Sequence, residues 1–130
     1  MSDELREYVE RVSRKVRLHA AILFGSRARG DHGPWSDYDL LLIGEFKEPY
    51  LDRLKTLLDL TEGIGIPIEL HPYTLEEALK MLERGNPSIV DAVEEGKPIL
   101  VGEGWEKILE RYRSMKRRGK LKRTRTSITF

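Results

Sequence analysis

Gly25-Ser26, a ten-residue gap and then Asp37-Tyr38-Asp39 form the pattern in this chain with the clearest chemistry. Asp37 opens the run Asp37-Tyr38-Asp39-Leu40-Leu41-Leu42-Ile43, which predicts a strand over 37–43. Residues two apart on a strand share a face, so Asp37 and Asp39 project side by side. Like charges that close repel unless a cation lies between them. A hard divalent ion suits oxygen ligands, and Mg²⁺ is the usual choice where phosphates share its shell. Gly25-Ser26 ends a second apolar run, Ala20-Ala21-Ile22-Leu23-Phe24. Gly25 frees the backbone to turn, and Ser26 begins a short helical turn with unused N–H groups, an anion site suited to phosphate. A phosphate cradle facing a carboxylate pair implies chemistry on a nucleoside triphosphate. The chain lacks the Gly-x-x-x-x-Gly-Lys-Ser/Thr loop of P-loop NTPases and the Gly-x-Gly-x-x-Gly of dinucleotide folds.

Gly25-Ser26-Arg27-Ala28-Arg29-Gly30 followed by Ser36-Asp37-Tyr38-Asp39-Leu40 resembles the signature of the polymerase-beta-like nucleotidyltransferases. The wording is most similar to their minimal, stand-alone branch, MNT, and the resemblance covers roughly residues 18 to 101. It implies an α/β nucleotidyltransferase fold, a small mixed sheet with helices packed largely on one face. It implies transfer of a nucleoside monophosphate, here AMP from ATP, to an acceptor hydroxyl with release of pyrophosphate. Two Mg²⁺ ions would assist, held by Asp37 and Asp39. The family adds a third carboxylate from a neighbouring strand, and Glu69 in Ile66-Pro67-Ile68-Glu69-Leu70 is the candidate. The family more often has Asp there, so Glu69 could bind metal or act as general base. Gly25, Ser26, Arg27 and Arg29 would hold the phosphates. Stand-alone members often pair with a small helical HEPN protein and act as antitoxins that nucleotidylate a tyrosine of the toxin. The alternatives are transfer to RNA or a small molecule, or a catalytically silent nucleotide- or RNA-binding module.

The residues around this set leave choices open. Arg29 either clamps a phosphate or pairs with Asp31 or Asp37. His71 shares the strand face of Glu69 and either supports the site or is an exposed polar residue. Trp35 and Tyr38 read as packing residues, with His32-Gly33-Pro34-Trp35 shaping the acceptor entrance.

Helical periodicity places these residues within an α/β sandwich. Leu5, Tyr8, Val9, Val12 and Val16 predict a helix over 3–17, and Leu51, Leu54, Leu57, Leu58 and Thr61 another over 49–61. Strands are expected at 19–24, 37–43, 66–71 and 98–101. Thr74 with Glu77 forms a capping box, and Asn86-Pro87 opens the next helix. A last helix runs over 104–117 with Trp105, Ile108, Leu109 and Tyr112 on one face.

The chain's 130 residues suffice for one domain. Cysteine is absent, which removes disulfides and thiolate metal sites. No run is long enough for a signal peptide or membrane span, so a cytoplasmic protein is expected. Gln is absent and Asn occurs once, a depletion beside many Lys, Arg and Glu that points to a thermophile. The net charge of +1 hides an asymmetry, because all 22 acidic residues lie at or before Glu110. Residues 111–130 carry nine Lys and Arg and no acid. The expected division is a nucleotidyltransferase domain over 1–113 and a basic, disordered tail over 114–130. The tail is a solvated end, a phosphate-binding segment for RNA, or a docking segment for an acidic protein.

Overall fold

The computed structural model describes residues 2–119 and the backbone of two short paired strands, Lys122–Arg123 and Ile128–Thr129. The elements follow in the order α1 (Asp3–Ser13), β1 (Leu18–Phe24), α2 (Ser26–Arg29), β2 (Tyr38–Gly44), α3 (Tyr50–Asp59), β3 (Ile68–Tyr73), α4 (Leu75–Glu83), α5 (Pro87–Glu95), β4 (Lys97–Val101) and α6 (Glu103–Arg117). The sheet order is β3-β2-β1-β4. β1 runs antiparallel to β2 and β4, and β2 runs parallel to β3, so the sheet is mixed as expected. A parallel pair needs a crossover, and α3 supplies it.

Helices cover both faces of the sheet, not largely one. Ala20, Ile22, Phe24, Leu41 and Ile43 pack beneath α4, α5 and α6. Ala21, Leu23, Leu40 and Leu42 pack against α1, α2 and α3. Strands buried on both sides carry continuous apolar runs instead of alternation. That is how Ala20–Phe24 and Leu40–Ile43 read, all of them within 5% of full burial. Each Leu or Ile so buried contributes about 1.5–3 kcal/mol.

The helix boundaries follow local chemistry. Ser2 caps α1, accepting from Leu5 N–H, and Tyr8 on its buried face donates to Leu57 O at 2.7 Å, tying α1 to α3. Burial pushes the Tyr8 hydroxyl well above its ordinary value. α1 ends at Ser13, short of the expected residue 17. The capping box of Thr74 and Glu77 is formed, and Asn86 Oδ1 accepts from Ser88 and Ile89 N–H. The face of α3 differs from its leucine pattern. Leu51 and Leu58 are exposed, whereas Arg53 is buried beside Leu57. Arg53 is satisfied there by Glu48 O, Pro72 O and both carboxylate oxygens of Glu77.

The expected domain boundary at residue 113 falls within α6. α6 continues to Arg117, and Met115 on its last turn is fully buried in the core beneath α4 and α5. The expected disorder of the basic segment concerns residues that, beyond Gly119, lie outside the described side chains; backbone pairing joins Lys122 to Thr129 and Arg123 to Ile128. β3 and β4 are the outer strands, and each contains a proline, Pro72 and Pro98.

Candidate active site

Three neighbouring strands bring one row of residues to the same end of the sheet. Phe24 on β1 pairs with Asp39 on β2, and Asp39 pairs with Glu69 on β3. His71 follows Glu69 two residues later on the same face, so its ring returns toward Asp39, with Nε2 3.4 Å from Oδ1. The edge of the imidazole meets the Phe24 ring at 4.9 Å and 66°. Donor atoms of Asp39, Glu69 and His71 all lie within 4.8 Å of one another. His71 is therefore part of the site, not an exposed polar residue.

Asp39 and Glu69 face one another across β2 and β3. Their hydrogen bond is the main reason that the Glu69 carboxyl is held above its usual range. Burial and the Asp39 charge act in the same direction, and His71 opposes them. Asp37 stands apart from this cluster. It is exposed and lies one residue before β2, which begins at Tyr38, where Tyr38 N–H bonds Pro67 O. The carboxylates that the sheet register pairs are Asp39 and Glu69 on adjacent strands, with Asp37 exposed just before β2.

The turn after β1 closes over Asp39. Gly25 has φ 76° and ψ −159°, backbone that only glycine adopts readily. A Cβ there would lie 2.4 Å from Asp39 Oδ2, so the turn presses on the carboxylate itself. Ala28 is the first residue to donate back into the α2 turn, which leaves the N–H groups of Ser26 and Arg27 ahead of it. The N–H of Gly25 is engaged, donating to Asp91 Oδ2 at 3.0 Å.

Asp91 is a site residue that the sequence reading did not single out. It lies on α5, is only 7% exposed, and also receives Arg29 Nη1 at 3.3 Å. Its signal was an acid inside the apolar run Ile89-Val90-Asp91-Ala92-Val93. Arg29 further pairs with Asp31 at 3.2 Å, so its ion-pair alternative is realised, with Asp91 where Asp37 was considered. Arg27 points elsewhere. Its Nε donates to Ser36 O, and its guanidinium stacks over Tyr38 at 4.4 Å, on the opposite sheet face from Asp39. Tyr38 is a packing residue as expected, but Trp35 is 92% exposed.

A cavity of about 450 Å³ opens between these parts, lined by Gly25, Ser26, Arg29, Asp39, His71 and Asp91, with Ser88 at the start of α5. It falls within the size range of small-ligand sites.

A family model described as a nucleotidyltransferase domain matches residues 5–100. The chain belongs to the nucleotidyltransferase-domain family. The match spans the Gly25 turn, Asp37, Asp39, Glu69 and Asp91 alike. A curated relative from Methanocaldococcus jannaschii, named "Putative protein adenylyltransferase", is 39% identical over 64 residues, which is 48% of this chain and 64% of that protein. The match thus spans under two thirds of that relative's length. Among solved structures, this nucleotidyltransferase resembles a chain of a toxin–antitoxin complex with AMP-PNP, at TM-score 0.62 and 19% identity over 88% of this chain and 89% of that one. It also resembles a chain of the complex of a tri-AMPylated Shewanella oneidensis HEPN toxin with its MNT antitoxin, at TM-score 0.58 and 15% identity over 90% and 87%. At these identities the likeness is one of fold. Among the described residues no helix is long and apolar enough to cross a membrane.

Proposed function

We propose that this chain is a metal-dependent nucleotidyltransferase that moves AMP from ATP to a hydroxyl of a partner protein, a tyrosine of a HEPN-type toxin. The observation that carries the reading is the pairing of Asp39 with Glu69 directly beneath the Gly25 turn. Two carboxylates on paired strands fit the oxygen-donor chemistry of Mg²⁺, and Asp39 and Glu69 would hold it, with Asp37 joining from just before β2. Bound Mg²⁺ would supply charge neutralisation along the triphosphate.

The rest is the work of the chain. Ser26, through its N–H and hydroxyl, and Arg27 N–H offer donors to the β- and γ-phosphates. Arg29, fixed by Asp91 and Asp31, keeps a positive charge on the cavity wall. The acceptor oxygen attacks the α-phosphorus, the bond to the bridging oxygen breaks, and pyrophosphate leaves. The acceptor proton passes to Glu69, the carboxylate paired with Asp39 on the neighbouring strand. The exposed Trp35, on the loop that leads into β2, is suited to contact the acceptor. The basic segment after Glu110 would draw an acidic partner surface.

Labelled ATP decides the reaction class. Incubated with the candidate toxin, the chain should transfer label from α-³²P-ATP and none from γ-³²P-ATP, and Asp39→Asn should abolish transfer while remaining folded. Label from the γ-position, or full activity of Asp39→Asn, overturns the reading.

A further inference from the structure

We propose that His71 is a ligand of the metal at this site, and that the protein therefore selects Mn²⁺ over Mg²⁺. The inference rests on the metal-dependent reading above. Around an octahedral ion with bonds of about 2.1 Å, neighbouring donors lie about 3.0 Å apart and opposite donors about 4.2 Å apart. The 3.4 Å between His71 Nε2 and Asp39 Oδ1 lies between these two separations, and the donors of the whole cluster, all within 4.8 Å of one another, share one ion once any longer pair draws in by up to about 0.6 Å.

The ring is not free to leave. β3 is fixed to β2 in a register that sets His71 opposite Leu41, the Phe24 ring packs on the imidazole, and the side chain is 17% exposed. This fixes Nε2 toward Asp39. Two carboxylates and one imidazole are a mixed oxygen and nitrogen set. Mg²⁺ is a hard ion that prefers oxygen and gives up its waters reluctantly. Imidazole favours transition metals, whereas carboxylate and phosphate oxygens suit Mg²⁺ and Mn²⁺ alike. Mn²⁺ satisfies both demands and keeps the octahedral shape in which triphosphate oxygens bind. The competing account is that His71 serves only as a charged partner for Asp39.

The two accounts separate on the protein alone, without nucleotide or acceptor. Mn²⁺ binding is measured by the loss of its free electron-paramagnetic signal, and Mg²⁺ by competition. The intact chain should favour Mn²⁺, and echo-modulation spectra should show a directly bonded ¹⁴N. His71→Asn, which keeps a polar oxygen in place of the ring, should lose the ¹⁴N modulation and weaken Mn²⁺ by at least about tenfold, the lower end of what even outer residues of metal sites command. Mg²⁺ affinity should change by no more than about threefold, since an oxygen donor remains. Circular dichroism melting confirms that the variant is folded. A His71→Asn protein with an unchanged Mn²⁺ to Mg²⁺ ratio, or a parent with bound Mn²⁺ and no nitrogen coupling, overturns the inference. AMP transfer with Mg²⁺ and no His71-dependent preference would defeat this proposal and leave the function standing. Nitrogen-coupled Mn²⁺ in a chain that transfers nothing would do the reverse.

Discussion

Replacing Gly25 by alanine probes the contact on which the site depends. Two effects are expected, and they differ in kind. The backbone at φ 76° and ψ −159° is sparsely populated by any residue with a Cβ, at about 1–3 kcal/mol. The new methyl would also lie 2.4 Å from Asp39 Oδ2, but 3.3 Å from Cγ and 3.5 Å from Cβ. The oxygen can rotate away while β2, buried on both faces, stays where it is. Stability therefore falls by the backbone strain, about 2 kcal/mol, which for a domain of this size lowers Tm by about 5–12 °C. Activity falls for the second reason. A carboxylate turned by about 1 Å no longer faces Glu69 and His71, and misplacement on that scale reduces rate by about a hundredfold. Gly30→Ala is the control, because Gly30 also has positive φ, 85°, but no atom within 4 Å of its would-be Cβ. It should show a comparable loss of Tm and keep most of its activity. Calorimetry and the α-³²P-ATP assay on both variants give the comparison. If Gly25→Ala retains as much activity as Gly30→Ala, the contact between the turn and Asp39 does not shape the site.

Two further outcomes test the scaffold. The Glu77 carboxyl is held below its ordinary value of 4.5, chiefly by the hydrogen bond from Arg53. A depressed folded value means that the stabilisation is complete above the ordinary value and lost as pH falls through the folded one. Glu77→Gln should therefore lower Tm at pH 7 and flatten its decline below about pH 4.5, whereas parallel melting curves for parent and variant would refute the coupling. Truncation after Gly119 should leave Tm within about 1 °C. Truncation after Arg113 removes the buried Met115, worth about 2–5 kcal/mol, so equal melting of the two truncated chains would show that the last turn of α6 contributes nothing.

The parts of the site that the sequence disclosed are those set by local rules. An apolar strand ending in Gly25-Ser26, and an acid at the start of the Leu40–Ile43 run, identify the turn and Asp39 from neighbours in sequence. The caps at Thr74 and Asn86 are local for the same reason. Residues whose meaning depends on which helix packs where were harder to see. Asp91 reaches Gly25 across 66 positions, and nothing near it in sequence announces that partner. Arg53 sits on the buried side of α3 because Glu77 and the Pro72 carbonyl await it, so of the leucine stripe Leu54 and Leu57 face the core while Leu51 and Leu58 are exposed. Helices on both sheet faces were foreshadowed by unbroken apolar strands, which the expectation of a one-sided layer overlooked. Arg27 seemed a phosphate ligand by nearness to the turn, yet its stem leaves α2 on the Tyr38 side.

The prolines of the outer strands decide how this molecule can meet others. A sheet margin with free N–H groups invites a foreign strand, and with it fibres or swapped dimers. Here Pro72 on one margin and Pro98 on the other cannot donate, and the Pro72 carbonyl is already occupied by Arg53. Neither margin offers the unbroken ladder that a guest chain would need. Strand addition at either margin of the four-stranded sheet is thus disfavoured, which leaves recognition of another protein to side chains and surface shape.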